Sequence, residues 1–195
     1  MTMISSLYYS HIKGLFGDFK DKNEKDILKI SENKNFLIFQ IAQYKNLSTS
    51  IENLKIDNLN LNNKALNVVC NNTTRLLWNG PGNWLLISSK KELVKDILKI
   101  FDEKYFAVTD LSHSRAMIEL EGENAKEVLK KGCPFNFNEL NKNNCLNSTF
   151  NGITFTIDIL NDSPYKIRIL TLRSFGESLY HSITDSSLEF GYKCL

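Results

Sequence analysis

The densest run of polar side chains in this 195-residue chain is Asp110-Leu111-Ser112-His113-Ser114-Arg115, at the end of the β-rich stretch Phe106 to Leu111. A carboxylate, two hydroxyls, an imidazole and a guanidinium within six positions could bind a ligand or move a proton. The same residue types also build an ordinary turn, because Asp and Ser side chains accept bonds from free backbone amides. Ser112 and His113 are adjacent, so on a strand they point to opposite faces and form no nucleophile–base pair. The turn or interface reading therefore outweighs the catalytic one.

Other candidates are weaker. Cys133 follows Lys130, Lys131 and Gly132. The lysines favour a thiolate, but the end of a helix disfavours one, and no histidine adjoins to act as base. A buried, inert thiol is expected. Asp158 lies in an alternating stretch and is expected on a solvated face. Trp78 and Trp84 bracket the turn Asn79-Gly80-Pro81-Gly82. A base-stacking platform would need basic surroundings, so core or interface packing is expected. The three histidines are scattered and the four cysteines show no paired spacing, so neither a zinc site nor a disulfide framework is indicated. There is no GxGxxG, no Walker A loop and no GxSxG elbow.

Composition excludes further classes. The net charge is +2, with 42% apolar and 24% charged residues. That balance suits a globular chain with a real core and gives no basis for a nucleic-acid partner. No apolar run reaches the roughly 18 residues of a membrane span, and no signal-peptide pattern opens the chain. Reduced thiols in a cytoplasm are the expectation.

The elements that must position these residues follow from periodicity. Tyr8, Ile12, Leu15, Phe16 and Phe19 have helical spacing, but Gly14 and Gly17 disfavour a helix, so residues 1–20 read as an apolar arm. It packs on its own domain or on a partner subunit. Residues 20–34 read as a solvated loop or short helix, and 44–64 as a long loop. Strands are expected at Phe36–Ala42, Ala65–Cys70, Thr74–Trp78, Trp84–Ser88, Phe106–Leu111 and Ala116–Leu120. Asn151-Gly152 marks a hairpin whose second strand alternates Ile153, Phe155, Ile157 and Ile159, and Tyr165–Leu172 is another strand. Leu93, Val94, Ile97, Leu98 and Phe101 form one helix stripe, and Ala125, Val128 and Leu129 a shorter one. Ser89-x-x-Glu92 and Ser174-x-x-Glu177 have the form of capping boxes. Both halves thus end in strand, turn, strand, cap and helix. The pattern predicts an α+β fold of two pseudo-repeated units, 1–104 and 105–195, each an antiparallel sheet with helices on one face.

Several of these stretches together carry a family resemblance. Trp78-Asn79-Gly80-Pro81-Gly82-Asn83-Trp84-Leu85-Leu86 is followed by Thr109 to Ala116, then Leu120, Gly122 and Ala125. Next come Leu129 to Pro134, Arg173-Ser174-Phe175 and Ser178-Leu179. In this order they resemble the gamma subunit of heterotetrameric sarcosine oxidase. The resemblance implies a fold similar to the folate-binding glycine-cleavage aminomethyltransferases, with residues 105–195 resembling their folate-binding domain. It implies a non-catalytic subunit of a complex that demethylates sarcosine to glycine, hydrogen peroxide and formaldehyde or 5,10-methylenetetrahydrofolate. It implies alpha, beta and delta subunits as partners, with FAD, FMN, NAD and tetrahydrofolate on other subunits and no cofactor on this chain. On this basis Asp110, Ser112, His113, Arg115, Trp78, Trp84, Arg173 and Phe175 are ligand or interface candidates, with no catalytic or metal residue. The alternatives are a stand-alone folate-binding one-carbon transferase and a gamma-like subunit of a dimethylglycine or N-methylglutamate dehydrogenase.

Overall fold

The computed structural model describes residues 4–23, 25–45, 51 and 53–195. Its strands are β1 (Gly14–Phe16), β2 (Leu28–Glu32), β3 (Leu37–Gln43), β4 (Lys55–Ile56), β5 (Leu59–Asn60), β6 (Val68–Cys70), β7 (Thr74–Gly80) and β8 (Asn83–Ser88). Helix α1 (Leu93–Ile100), β9 (Phe106–Asp110), β10 (Arg115–Glu121) and α2 (Ala125–Lys130) follow. The chain ends with β11 (Cys145–Phe150), β12 (Ile153–Asp162), β13 (Tyr165–Leu172), α3 (Gly176–Ser187) and β14 (Tyr192–Cys194). This is an α+β chain of two compact units. One comprises residues 1–34, 114–142 and 147–195; the other comprises 35–113 and 143–146.

The first unit is built on a seven-stranded sheet in the order β1-β14-β2-β10-β13-β12-β11. The strands pair antiparallel except β14 with β2, which run parallel. Alternation separates its two faces. Ile118 and Leu120 of β10 register with Ile169 and Ile167 of β13, which register in turn with Ile157 and Ile159 of β12. All six are fully buried or nearly so. Helices α2 and α3 pack on this sheet and on each other. The opposite face carries Glu119, Glu121, Lys166, Arg168 and Asp158.

The second unit has a five-stranded antiparallel sheet, β6-β7-β8-β3-β9, the small hairpin β4–β5 and α1. Its core gathers Phe39, Ile41, Trp84 and Leu86 from the sheet, Ile56, Leu59 and Leu61 from the hairpin, and Leu93 and Ile97 from the helix.

Several expectations are corrected. The division near residue 104 does not hold: β9 pairs with β3, so 106–110 completes the sheet that 37–43 began. The second unit is in effect inserted between β2 and β10 of the first. Residues 28–32 are neither a solvated loop nor a short helix but an interior strand of the seven-stranded sheet, with Leu28 and Ile30 fully buried. The stretch 44–64 contains the hairpin β4–β5, whose turn residues Asp57 and Asn58 take positive φ. Positive φ suits Asn and Asp, which tolerate that region better than most residues. Neither capping box forms. Glu92 and Phe175 sit at the two N-caps without side-chain bonds. Ser89 instead bonds to Thr73, and Glu177 accepts a bond from Ser10.

Asp57 fastens the hairpin. Its carboxylate accepts bonds from Asn71 Nδ2 at 2.9 Å, Thr74 Oγ1 at 2.6 Å and Lys90 Nζ at 2.5 Å. Burial alone would raise this carboxyl; the bonds from Lys90, Thr74 and Asn71 outweigh it and hold the group well below the usual carboxylate range. A depressed folded value means the stabilisation is complete above the unfolded value of about 3.9 and is lost as pH falls through the folded value. Asp57→Asn should therefore lose part of the wild-type stability at pH 7, about 1–3 kcal/mol for charge-assisted bonds. The gap to wild type should narrow below about pH 4. Urea unfolding at pH 7 and pH 3 checks this; a gap that stays constant with pH would contradict it.

Candidate functional site

The polar run splits into two groups that belong to different units. Asp110 and Ser112 lie at the end of β9. Asp110 is exposed, and its Oδ1 accepts from the Ser112 amide at 2.8 Å. Ser112 Oγ accepts from the Ile38 amide at 3.0 Å, tying the end of β9 to the start of β3. These are turn bonds, consistent with the structural reading. His113 is exposed to solvent.

Trp84 and Trp78 face each other across the β7–β8 pair. Trp84 is 1% exposed and donates from Nε1 to the Asn62 carbonyl at 2.6 Å. It is a core residue rather than an interface residue. Trp78 is half-buried, and its buried Nε1 has no partner among the described residues. Cys133 is buried, as expected, with its sulfur 3.1 Å from Ser148 Oγ. All four cysteines are free thiols.

The remaining candidates converge at the start of β10 and the end of β13. Arg115 registers with Leu172. The Arg173 amide donates to the Ser114 carbonyl at 2.8 Å, and Arg115 Nη1 reaches the same carbonyl at 3.4 Å and Ser114 Oγ at 3.2 Å. Burial lowers the Arg115 guanidinium from its ordinary value, yet arginine is not deprotonated in proteins and the group keeps its charge. Arg173 Nη2 donates to the Ile4 carbonyl, which anchors the N-terminal arm. An open groove here is lined by Ser6, Ser114, Leu172, Arg173, Ser174 and Glu177. Phe175 stands beside it, 45% exposed.

The arm itself packs on its own unit. Leu7 is fully buried, and His11 bridges the Tyr180 hydroxyl and the Leu195 carbonyl, each at 2.9 Å. β1 pairs with β14. Tyr8, Tyr9 and Ile12 nonetheless remain largely exposed.

The largest polar feature was not foreseen. Asp158, expected on a solvated face, is fully buried. It pairs across the sheet with Arg168, whose Nη1 lies 3.9 Å from Asp158 Oδ2. Arg168 also grips Glu119 Oε1 through Nε at 2.9 Å and Nη2 at 2.8 Å. Lys166 bridges Glu119 and Glu121, each at 3.1 Å, and Lys29 closes on Glu121 at 3.3 Å. The result is a ladder of alternating charge across β2, β10, β13 and β12. Its carboxylates hold arginine and lysine partners, so it is a structural network. Among the described residues, no group of three His, Cys, Asp or Glu side chains has metal-binding geometry. Among the described residues, no helix is long and apolar enough to cross a membrane.

The α+β arrangement is similar in fold to an aminomethyltransferase. The glycine cleavage system aminomethyltransferase T from Bartonella henselae superposes with a TM-score of 0.58 at 15% identity, covering 83% of this chain and 46% of that one. A chain of the heterotetrameric sarcosine oxidase from Corynebacterium sp. U-96, in complex with pyrrole 2-carboxylate, superposes with a TM-score of 0.76 at 22% identity, covering 86% and 87%. In sequence, the sarcosine oxidase subunits gamma of Corynebacterium sp. strains U-96 and P-1 are 30% and 29% identical over 120 residues. Those matches cover 60% of this chain and span 58% of the length of each relative. The family model described as "Sarcosine oxidase, gamma subunit family" matches residues 53–189. The chain belongs to the sarcosine oxidase gamma subunit family.

Proposed function

We propose that this chain is the gamma subunit of a sarcosine-oxidase-type complex and contributes no catalytic residue of its own. The observation that carries this reading is the family match over residues 53–189. The complex would oxidatively demethylate sarcosine to glycine, hydrogen peroxide and a one-carbon unit, released as formaldehyde or held by tetrahydrofolate. FAD, FMN, NAD and tetrahydrofolate would sit on the alpha and beta subunits, with a delta subunit completing the assembly in the cytoplasm. The state of the chain's own carboxylates supports this. A stand-alone folate transferase would need a carboxylate held in a pocket for the pterin, and neither candidate is placed so. Asp110 accepts from its own turn, and Asp158 is buried against Arg168.

Co-expression with the alpha-, beta- and delta-type subunits, followed by gel filtration and a sarcosine oxidation assay, tests the reading. The chain should co-elute stoichiometrically with a yellow, sarcosine-oxidising complex. Asp110→Ala and Cys133→Ala should leave turnover within about twofold of wild type, since a change outside the reacting groups removes no transition-state contact. Elution as a separate species that binds tetrahydrofolate, with binding lost in Asp110→Ala, would replace it with a folate-site protein.

A further inference from the structure

Among the described residues, Arg115 and Arg173 are not seen paired with a carboxylate. Arg168 is saturated by Glu119 and Asp158. Arg115 bonds to Ser114, and Arg173 to the Ile4 carbonyl. Arg173 lines the groove formed with Ser6, Ser114, Leu172, Ser174 and Glu177, and Arg115 reaches its edge by bonding to Ser114. The one acid there, Glu177, is turned to Ser10 Oγ at 2.6 Å and lies 3.8 Å from His181. Arg173 and Glu177 offset one another formally, and Arg115 at the edge leaves the groove with a net positive charge of one.

The surroundings of that charge are apolar. Ile4 is 63% exposed, Phe175 45% and Leu172 40%. The groove wall is rigid: a Cβ on Gly176 would lie 2.7 Å from Ser6 Oγ and 2.9 Å from Ala116 Cβ, so the arm is pressed against the first turn of α3. Arginine and an aromatic ring, ringed by apolar side chains and hydroxyls, have the composition of an interface hot spot. A guanidinium with no internal acid is completed by one from outside, and matched charge sets the register of docking. A small free anion would satisfy the arginines but leave Ile4, Leu172 and Phe175 in water.

We infer that this groove docks another subunit of the proposed complex through a segment presenting an Asp or Glu carboxylate between apolar residues. The carboxylate meets Arg115 and Arg173, while Ile4, Leu172 and Phe175 cover its neighbours. This inference rests on the subunit reading above and adds which surface makes the contact and what chemistry it takes.

The test uses the co-expressed complex and full-length chains carrying Phe175→Glu or Phe175→Lys. Both substitutions remove the same ring at an exposed site, so their difference reads charge sign and not folding. Phe175→Glu sets a carboxylate where one docks and should weaken assembly at least tenfold more than Phe175→Lys at low salt. The difference should shrink at high salt. Arg173→Glu should behave like Phe175→Glu, and Lys95→Glu, an exposed change on α1, should alter nothing. A photo-crosslinker at position 175 should capture a partner peptide containing Asp or Glu. Equal assembly by the two Phe175 variants, or a captured peptide without an acid, overturns the inference. So does saturable binding of inorganic phosphate to the isolated chain, lost in Arg173→Glu, while assembly of that variant is unchanged. If the wild-type chain does not assemble at all, the subunit reading itself fails, which is a separate outcome.

Discussion

Arg168→Met should be among the most damaging single substitutions in this chain, lowering stability by about 3–5 kcal/mol, the usual cost of breaking a buried ion pair from one side. Arg168 is 8% exposed, Glu119 6% and Asp158 fully buried. With the guanidinium gone, two carboxylates would remain on a sheet face away from water. The loss is a large share of the roughly 5–15 kcal/mol that holds a domain folded. For a chain of this size it corresponds to a fall in Tm on the order of 10 °C. Replacing all three residues by apolar ones of similar volume should recover most of the loss, because the desolvation cost disappears together with the attraction.

The pH dependence has a definite sign. Burial pushes the Glu119 carboxyl up, but Arg168 and Lys166 outweigh it and hold the carboxyl below its ordinary value. Burial likewise lowers Lys166, and the neighbouring Glu119 and Glu121 more than restore it. The Glu119 contribution is therefore complete above the unfolded value of about 4.3 and is lost as pH falls below it. The Lys166 contribution is complete below about 10.4 and is lost as pH rises through the folded value. In Arg168→Met the penalty comes from ionised carboxylates, so its gap to wild type should narrow in acid. Thermal melts at pH 7 and pH 3.5 measure this. A loss under about 1 kcal/mol at pH 7 would mean that Lys166 alone satisfies the face.

The ladder explains which parts of the fold were legible in sequence. β10, β12, β13 and the stripe of α1 show period-2 or period-3.6 patterns, β3 and β8 are short β-rich runs, and each forms close to where the sequence places it. β10 and β13 alternate apolar residues with charges, which normally signals one wet face. Here the counter-charges come from strands far along the chain. Arg168 and Glu119 are 49 positions apart, so no local window reveals that the charges cancel. The failures at β1, β2 and β14 share a cause. Each has only three to five residues, too few for a period, and each is a strand only because a distant neighbour pairs with it. The two units were misplaced for the same reason, since the boundary is set by β9 pairing back to β3. The residues around the groove were legible by type. That Arg115 and Arg173 are unpaired with acids among the described residues was not, because it depends on where distant carboxylates end up.

Trp84→Ala should cost about 3–5 kcal/mol, as expected for deleting a large buried aromatic. Trp84 sits in the core with Phe39, Ile41, Leu76 and Leu86 of the sheet and Leu93 and Ile97 of α1. Its Nε1 bond to Asn62 also fixes the segment following the β4–β5 hairpin. Trp84→Phe separates the two contributions. It keeps most of the apolar area but leaves the Asn62 carbonyl without this donor, for an expected loss of about 1–3 kcal/mol. Trp78 is the internal control. It lies directly across β7–β8 from Trp84, yet it is half-buried and its Nε1 has no partner to lose. Trp78→Phe should therefore cost less than Trp84→Phe, and removing its unsatisfied N–H from a buried position offsets part of the lost contact. Urea unfolding of the three variants decides the matter. If Trp78→Phe proved the more damaging of the two phenylalanine substitutions, the indole bond to Asn62 would not be what fixes the segment after the hairpin.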